Sequence, residues 1–192
     1  MDLEQEEFVQ ATWDREVLPG QALEQWLFEG CTFRRCNFSG ASFKGSRFFN
    51  CRFEHCDLSN AAFDNANLRA PLFSACKLIG VAWARTQRLD GPAFDDCLLN
   101  DGNFKGLKLP KLRLKDCVAK QTDFSTADLS GADFSGTDLT GSLFFKSDLS
   151  RADFRSARNY SLFVDQCTVK GAKFSYPEVM ALLHGLEIVI GD

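Results

Sequence analysis

Residues 127–136 read Ala-Asp-Leu-Ser-Gly-Ala-Asp-Phe-Ser-Gly, which is two consecutive copies of one five-residue unit. In each copy a small residue comes first, a large apolar residue third and glycine fifth. A spacing of five fits neither an α-helix, which repeats every 3.6 residues, nor a strand, whose side chains alternate every two. The extent of this unit along the chain therefore decides the fold.

The large apolar residue recurs at every fifth position over most of the chain, and we call it the central residue. It runs from Phe28 to Trp83 and, after a shift of one residue, from Phe94 to Phe174, with Asn159 as the break in the second series. Fifteen of the 19 phenylalanines are central residues. A four-sided solenoid with five residues per side satisfies this spacing, because it places one large side chain on the inner surface of every side.

A second inward position lies two residues before the central residue, and the sequence fills it with Ala, Ser, Thr or Cys. All eight cysteines occupy it: Cys31, Cys36, Cys51, Cys56, Cys76, Cys97, Cys117 and Cys167. Cysteine there indicates a small buried filler. The chain has no C-x2-C pair, and His55 and His184 fit no ligand spacing, so we expect no metal site and no cofactor.

The repeats closely resemble the pentapeptide-repeat family, whose consensus is A-(D/N)-L-x-x. The best copies are Ala127–Gly131, Ala132–Gly136 and Ala152–Phe154, and the resemblance covers roughly residues 28–174. It implies an all-β solenoid, a right-handed quadrilateral β-helix of pentapeptide repeats, with about seven coils of 20 residues. We expect glycine two residues after the central residue, where a corner can require a positive φ.

The ends depart from the repeat, so we divide the chain into three segments. Residues 1–27 are expected to form an N-terminal cap or irregular first coil, residues 28–175 the β-helix, and residues 176–192 a C-terminal dimerisation segment. In that last segment a helix from Tyr176-Pro177-Glu178 to about His184, ended by Gly185, precedes a strand over 186–190. This helix and strand would act as cap and dimer interface. The predicted interface residues are Val179, Met180, Leu183, Leu186, Ile188 and Ile190.

Two internal stretches also break the pattern. Residues 84–93 carry one extra residue and would place Arg88 inward, where an unpaired guanidinium is untenable. A bulge or short loop is therefore expected there, either as a tolerated insertion or as a binding loop that presents Arg85, Arg88 and Asp90. Residues 107–113 place Leu107 and Leu112 where small residues belong and include Pro110, so we expect a distorted coil.

Composition excludes several functions. A formal net charge of −4 and a pI near 5.3 argue against direct nucleic-acid binding. No apolar run is long enough to span a membrane, and the acidic start lacks the order of a secretory signal, which predicts a cytoplasmic protein. Two histidines, neither near a plausible triad, leave nucleophilic catalysis without its base, so we do not expect an enzyme.

Charge is unevenly distributed along the chain. Residues 1–30 hold eight acids and one base, residues 31–115 seven acids and 14 bases, and residues 116–192 eleven acids and seven bases. In the last stretch six aspartates directly precede central residues: Asp123, Asp128, Asp133, Asp138, Asp148 and Asp153. Because successive sides turn by about 90°, these carboxylates should surround the rod. They may be read as partner contacts, or as consensus residues that hydrogen-bond their own corners.

The C-terminal segment, with Asn159-Tyr160 and Ala172-Lys173-Phe174-Ser175-Tyr176-Pro177-Glu178, resembles the topoisomerase-protecting branch of the family. That branch includes the AlbG, McbG, MfpA and Qnr proteins, and AlbG looks most similar. The resemblance implies a DNA-mimicking homodimer that binds DNA gyrase or topoisomerase IV and protects it from a toxin or drug. The long loops of the Qnr proteins are absent, and the basic stretch 31–115 is unusual for a DNA mimic. The alternative is a structural or adaptor repeat protein with another partner.

Overall fold

The computed structural model describes residues 6–186, and for residues 184–186 the backbone only. It contains short strands and two 3-10 helices. The strands are β1 (Glu7–Val9), β2 (Thr12–Asp14), β3 (Leu27–Glu29), β4 (Thr32–Arg34), β5 (Arg47–Phe49), β6 (Arg52–Glu54), β7 (Asn67–Arg69), β8 (Leu72–Ser74), β9 (Arg88–Asp90), β10 (Ala93–Asp95) and β11 (Arg113–Lys115). The 3-10 helices are Trp83–Arg85 and Glu178–Leu186.

The chain winds as a parallel β-solenoid with four faces. Face 1 carries the sheet β1-β3-β5-β7-β9, and face 2 carries β2-β4-β6-β8-β10-β11. Faces 3 and 4 are linked by single bridges, such as Asn37 to Asp57 on face 3 and Ser42 to Ala62 on face 4. Partners are 20 residues apart, as in the pairing of Phe28 with Phe48, until the shift after Trp83. The predicted all-β solenoid of pentapeptide repeats is confirmed.

The central residues fill the interior in vertical stacks. Phe33 lies on Phe53 with ring centroids 4.7 Å apart, and Phe28 lies on Phe48 at 4.8 Å. Rings from neighbouring faces of the solenoid pack edge to face, as those of Phe33 and Phe38 do with centroids 5.6 Å apart. Stacked and edge-to-face contacts are the two favourable geometries for aromatic pairs. The core is therefore a continuous column of large side chains.

The cysteines line the corners of this column. Seven are buried and Cys167 is partly buried, and all eight are free thiols. The Cys56 thiol donates to the backbone carbonyl of Phe33 at 3.4 Å, and Thr137 replaces cysteine in the same role by donating to the carbonyl of Leu114 at 2.7 Å. Within residues 6–186 no group of three His, Cys, Asp or Glu side chains could hold a metal ion.

The corner residue, two positions after the central residue, has a positive φ along the solenoid. Glycine leaves room at some corners for a side chain of the neighbouring coil. At Gly136, with φ +72°, a Cβ would lie 2.0 Å from Oδ1 of Asp116. Asn60 adopts the same conformation with φ +56°, as asparagine tolerates.

The first coil is more regular than the sequence indicated. β1 pairs with β3 and β2 with β4 in the 20-residue register, so residues 6–27 continue the ladder instead of forming an irregular coil or cap. Trp26 occupies a position that elsewhere is small, yet it is buried beside Phe8 at 5.6 Å. Its ring packs against those of Phe8 and Phe28, with centroids 5.6 Å and 6.0 Å away.

The extra residue of 84–93 is absorbed within one corner. The 3-10 helix Trp83–Arg85 tightens the turn, and β9 follows with Leu89, not Arg88, paired with Leu68. Gln87 and Arg88 are exposed. A bulge is thus correct, and partner binding by Arg85, Arg88 and Asp90 stays a prediction.

The expected distortion at 107–113 affects one face only. On face 1 the sheet ends at β9, and pairing resumes with the bridge between Lys108 and Asp128. On face 2 Arg113 stays in register with Ala93. Pro110, which has no backbone N–H, is tolerated because the residue directly after a central residue usually donates no backbone hydrogen bond to the neighbouring coil. Leu112 is buried in the core.

The repeat is interrupted again near its carboxyl end. Asn159 leaves the core with φ +58°, and Tyr160 and Leu162 are buried in its place. The 3-10 helix Glu178–Leu186 then packs Ala181 and Leu182 against the core. This helix passes through Gly185, so the predicted stop there is wrong and Leu186 is helical. The predicted strand from residue 187 onward lies outside the described residues.

Among residues 6–186, no helix combines the length and apolar character that a membrane crossing requires.

The stacked core predicts a large difference between two phenylalanines. Phe134 is fully buried and stacks on Phe154 at 4.9 Å, whereas Phe145 is 49% exposed. Phe134→Ala should lower the free energy of unfolding by about 3–5 kcal/mol, because it removes buried contacts and leaves a cavity. Phe145→Ala should lower it by less than about 1 kcal/mol. Urea unfolding measures both, and equal losses would contradict the inward placement of the central residues.

Candidate functional site

The six aspartates lie in tiers on all four faces of the carboxyl-terminal half. Asp128 and Asp148 are bridged neighbours on face 1, and Asp133 and Asp153 are bridged neighbours on face 2. Asp138 lies on face 3, bridged to Arg158, and Asp123 lies on face 4, bridged to Leu143. The sequence-based expectation that these carboxylates surround the rod holds. We call the six residues the acidic array.

Each aspartate of the array also fixes its own corner. The Asp128 Oδ1 accepts a hydrogen bond from the backbone N–H of Ser130 at 3.0 Å, and Asp123 accepts one from Ser125 at 2.8 Å. The same contact, at 2.9–3.2 Å, joins four further pairs: Asp133 with Ser135, Asp138 with Thr140, Asp148 with Ser150, and Asp153 with Arg155. The interpretation as corner-bonding consensus residues is therefore correct for one oxygen of every carboxylate. The second oxygen of Asp138 and of Asp153 is already paired with a cation.

Two members of the array are neutralised by nearby cations. Asp138 lies 3.4 Å from the Lys120 ammonium and 3.9 Å from Arg158, and Asp153 pairs with Arg155 at 2.6 Å. Within residues 6–186 the remaining four have no cation within 4 Å. These four are Asp123, Asp128, Asp133 and Asp148, and they carry the negative charge that the array presents to solvent.

Local contacts keep several of these groups ionised. Burial alone would raise the pKa of Asp138, but hydrogen bonds from Asn159 and Thr140, together with the charge of Lys120, hold it well below its usual range. Hydrogen bonds from Ser150 lower the pKa of Asp148. The hydrogen bond from Arg155 lowers the pKa of Asp153. The pKa shifts of these three carboxylates thus favour their anionic form.

The predicted loop residues lie on the solenoid wall. Arg85 ends the first 3-10 helix, 3.5 Å from Asp64, and Arg88 pairs with Asp90 on β9. The structure does not bring these three residues to the acidic array, because they lie in earlier coils.

The predicted dimer residues are only partly described. Val179, Met180 and Leu183 lie on the second 3-10 helix, where Met180 is 40% exposed and the other two are partly buried. Leu186 ends that helix. Ile188 and Ile190 lie outside the described residues.

Sequence reasoning missed an apolar patch on face 4. Leu143, Phe145 and Phe163 are each about half exposed, at 57%, 49% and 50%, and they border a cavity of about 280 Å³. Two of them are phenylalanines outside the central positions, and this departure from the repeat was the available signal. We call these three residues the apolar patch.

Two family models match the chain. A model described as a pentapeptide repeat region matches residues 27–90, and one described as pentapeptide repeats (8 copies) matches 111–144 and 122–158. The chain belongs to the pentapeptide-repeat family. The gap between the matches, residues 91–110, contains Lys108, where the interrupted pairing on face 1 resumes, whereas the absorbed residue after Trp83 lies inside the first match. No curated protein sequence matches the chain.

Solved structures share the fold of this pentapeptide-repeat protein. A trypsin-treated variant of QnrB1, a plasmid-mediated fluoroquinolone resistance protein, matches with a TM-score of 0.69 and 21% identity, over 96% of this chain and 97% of that one. A second trypsin-treated variant gives a TM-score of 0.67 and 20% identity over the same shares. HetL from Nostoc, involved in heterocyst differentiation regulation, matches with a TM-score of 0.46 and 19% identity over 86% of both chains. These matches give no support to a specifically AlbG-like protein.

The environment of Asp138 predicts a pH-dependent contribution to stability. Because the folded pKa lies below the unfolded one, this contribution is complete above about pH 4 and is lost as the pH falls through the folded pKa. Asp138→Asn should therefore destabilise the protein at about pH 7 and cost less at about pH 3. Urea unfolding of both proteins at the two pH values measures this. A cost that does not change with pH would contradict the assignment.

Proposed function

We propose that this protein is a non-catalytic DNA mimic that binds DNA gyrase or topoisomerase IV in the cytoplasm. By occupying the enzyme, it would protect it from a toxin or drug, in antibiotic resistance or self-immunity. One observation carries the proposal: four carboxylates without a cation partner are fixed around the carboxyl-terminal half of a rigid rod.

The geometry of the array suits a DNA-binding surface. Duplex DNA offers closely spaced negative charges along a rod. Asp128 and Asp148 are one coil apart on face 1, about 4.8 Å along the axis. Because each carboxylate is already held by a backbone N–H, little side-chain freedom is lost on binding. An array of fixed charges also favours rapid capture by a basic surface.

The comparison with QnrB1 supports the proposal at the level of shape. QnrB1 is a fluoroquinolone resistance protein, and its fold matches this chain over almost the full length of both. A rod of this size and fold therefore serves drug resistance in at least one protein.

The role of the negative charge can be tested while the hydrogen bonds that fix the corners are kept. We would replace Asp123, Asp128, Asp133 and Asp148 together by Asn, which keeps the Oδ1 acceptor and removes the charge. Wild-type protein should inhibit gyrase supercoiling at excess and relieve fluoroquinolone inhibition at lower concentration. The fourfold variant should need on the order of tenfold more protein, since exposed ion pairs contribute about 0.5 kcal/mol each.

A matched control removes the same charge elsewhere. Glu29→Gln, Asp96→Asn, Asp101→Asn and Asp165→Asn change four exposed acids outside the array. This control should behave like wild type. Equal loss in both variants, or no effect of wild-type protein on either gyrase or topoisomerase IV, would contradict the proposal.

We also propose a homodimer formed through residues 176–192. Met180 supports it, because it is 40% exposed on a helix whose other side packs against the core, and methionine adapts readily to a partner surface. Such a dimer would bring the two acidic halves together at its middle.

Met180→Arg should convert the dimer to a folded monomer, because an exposed side chain is changed and the core is not. Val17→Arg, at a 69% exposed valine near the opposite end, is the control and should leave the mass unchanged. Light scattering during gel filtration gives the mass. A wild-type monomer, or a Met180→Arg dimer, would contradict this interface.

A second candidate is an adaptor or structural repeat protein, and the apolar patch favours it. Leu143, Phe145 and Phe163 form an exposed apolar surface of the kind that binds protein partners. A pull-down that lacks topoisomerase subunits and loses another protein on Phe163→Ser would favour this candidate.

A further inference from the structure

Residues 31–115 place their largest net positive charge on face 1, because face 2 carries equally many bases, five, but three acids against one. Face 1 carries five of the 14 bases and one of the seven acids of this stretch. The bases on face 1 or its corner are Arg47, Arg69, Arg88, Lys108 and Lys111, and the acid is Asp90. All five bases are exposed. We call them the basic face.

Ion pairs cancel much of the charge on the other faces. Six pairs involve bases of this stretch on faces 2–4: Arg34 with Glu54, Arg35 with Asp14, Arg113 with Asp95, Lys115 with Asp116, Lys77 with Asp57, and Arg85 with Asp64. On the basic face only Arg88 is paired, with Asp90. Within residues 6–186, Arg47, Arg69, Lys108 and Lys111 have no carboxylate within 4 Å, so four positive charges on one face remain uncompensated.

The solenoid sets the spacing of these cations. Arg47 pairs with Asn67, and Asn67 pairs with Arg88, so one outward column carries a base in alternate coils. Lys108 follows one coil later, about 14 Å from Arg47 along the axis. The row continues at the same corner, where Lys111, Arg151 and Lys170 border a groove of about 410 Å³. The cations thus follow the rod axis.

The face lacks the features of a protein-binding surface. Its large exposed apolar residue is Val9, which lies in the first coil, away from the cations. Protein interfaces have an apolar centre that is depleted in charge, and this face has none beside its cations. Single-stranded nucleic acid is bound on exposed aromatic rings. Phe49 cannot serve, because the Arg69 guanidinium covers its ring at 5.1 Å.

We propose that the basic face binds the phosphate backbone of duplex DNA. A duplex is a straight polyanion with one charge per about 1.7 Å of axis, so phosphates are within reach of a row of cations on a flat sheet. In this column the cations end at Lys108, which is bridged to Asp128, and the acids Asp128 and Asp148 follow along face 1, each with one oxygen committed to a backbone N–H. The net charge of −4 led us to expect no nucleic-acid binding. That value sums the charges of all four faces, whereas a ligand on face 1 meets mainly the charges of that face.

Binding of a fluorescein-labelled duplex of about 20 base pairs, followed by anisotropy between about 20 and 150 mM salt, tests the proposal. Four uncompensated cations should give a slope of log K against log salt of about −3.6. Arg47→Gln, Arg69→Gln and Lys108→Gln combined should reduce the slope to about −1 and abolish most binding at low salt.

A control variant has the same net charge as the triple Gln variant of the basic face. Arg52→Gln, Lys77→Gln and Lys105→Gln remove three exposed bases from faces 2, 3 and 4 and should leave duplex binding unchanged. Three results would overturn the proposal: no duplex binding by wild-type protein at about 20 mM salt, equal loss in the control, or stronger binding of single-stranded DNA or polyglutamate than of the duplex. The experiment contains no topoisomerase, so its outcome is independent of the proposed function.

Discussion

Each large central side chain stacks on its counterpart one coil away, and this contact sets the shape of the molecule. The 4.7 Å between the rings of Phe33 and Phe53 is close to the spacing of hydrogen-bonded strands, about 4.8 Å. Backbone pairing and side-chain stacking therefore demand the same rise per coil. Because the two agree at most coils, the wall is rigid, and outward side chains keep fixed positions along the axis.

The repeat explains why so much of the fold could be predicted. The five-residue spacing alone predicts which residues are central, which are small and inward, and which form the corners. It also assigns the cysteines to the small inward position, with no metal or redox role needed to explain them. The spacing does not predict the structure where the repeat is interrupted, because several local backbone conformations fit the same sequence there. Thr86 and Gln87 absorb one residue outside the core, and Tyr160 replaces Asn159 inside it. The first coil was also not predicted, because Trp26 is buried at an inward position that the repeat usually fills with a small residue.

The surface was less predictable, because its chemistry depends on which charges meet across coils. Sequence spacing placed the aspartates of the array on four faces. It did not show that Lys120 and Arg158 neutralise Asp138 while Asp148 keeps an uncompensated charge. Likewise, the excess of bases in 31–115 gave no hint that ion pairs leave most of it on face 1. The charge that each face presents to solvent depends on such pairings.

The central claim is that the acidic array occupies the DNA site of a type II topoisomerase. Displacement of a labelled duplex from DNA gyrase tests it most directly, with the Arg47→Gln, Arg69→Gln and Lys108→Gln variant as the competitor, so that the basic face does not sequester the duplex. The account predicts complete, salt-sensitive displacement that is lost when the four uncompensated aspartates are also changed to Asn. Gyrase that keeps its duplex at saturating competitor would contradict it.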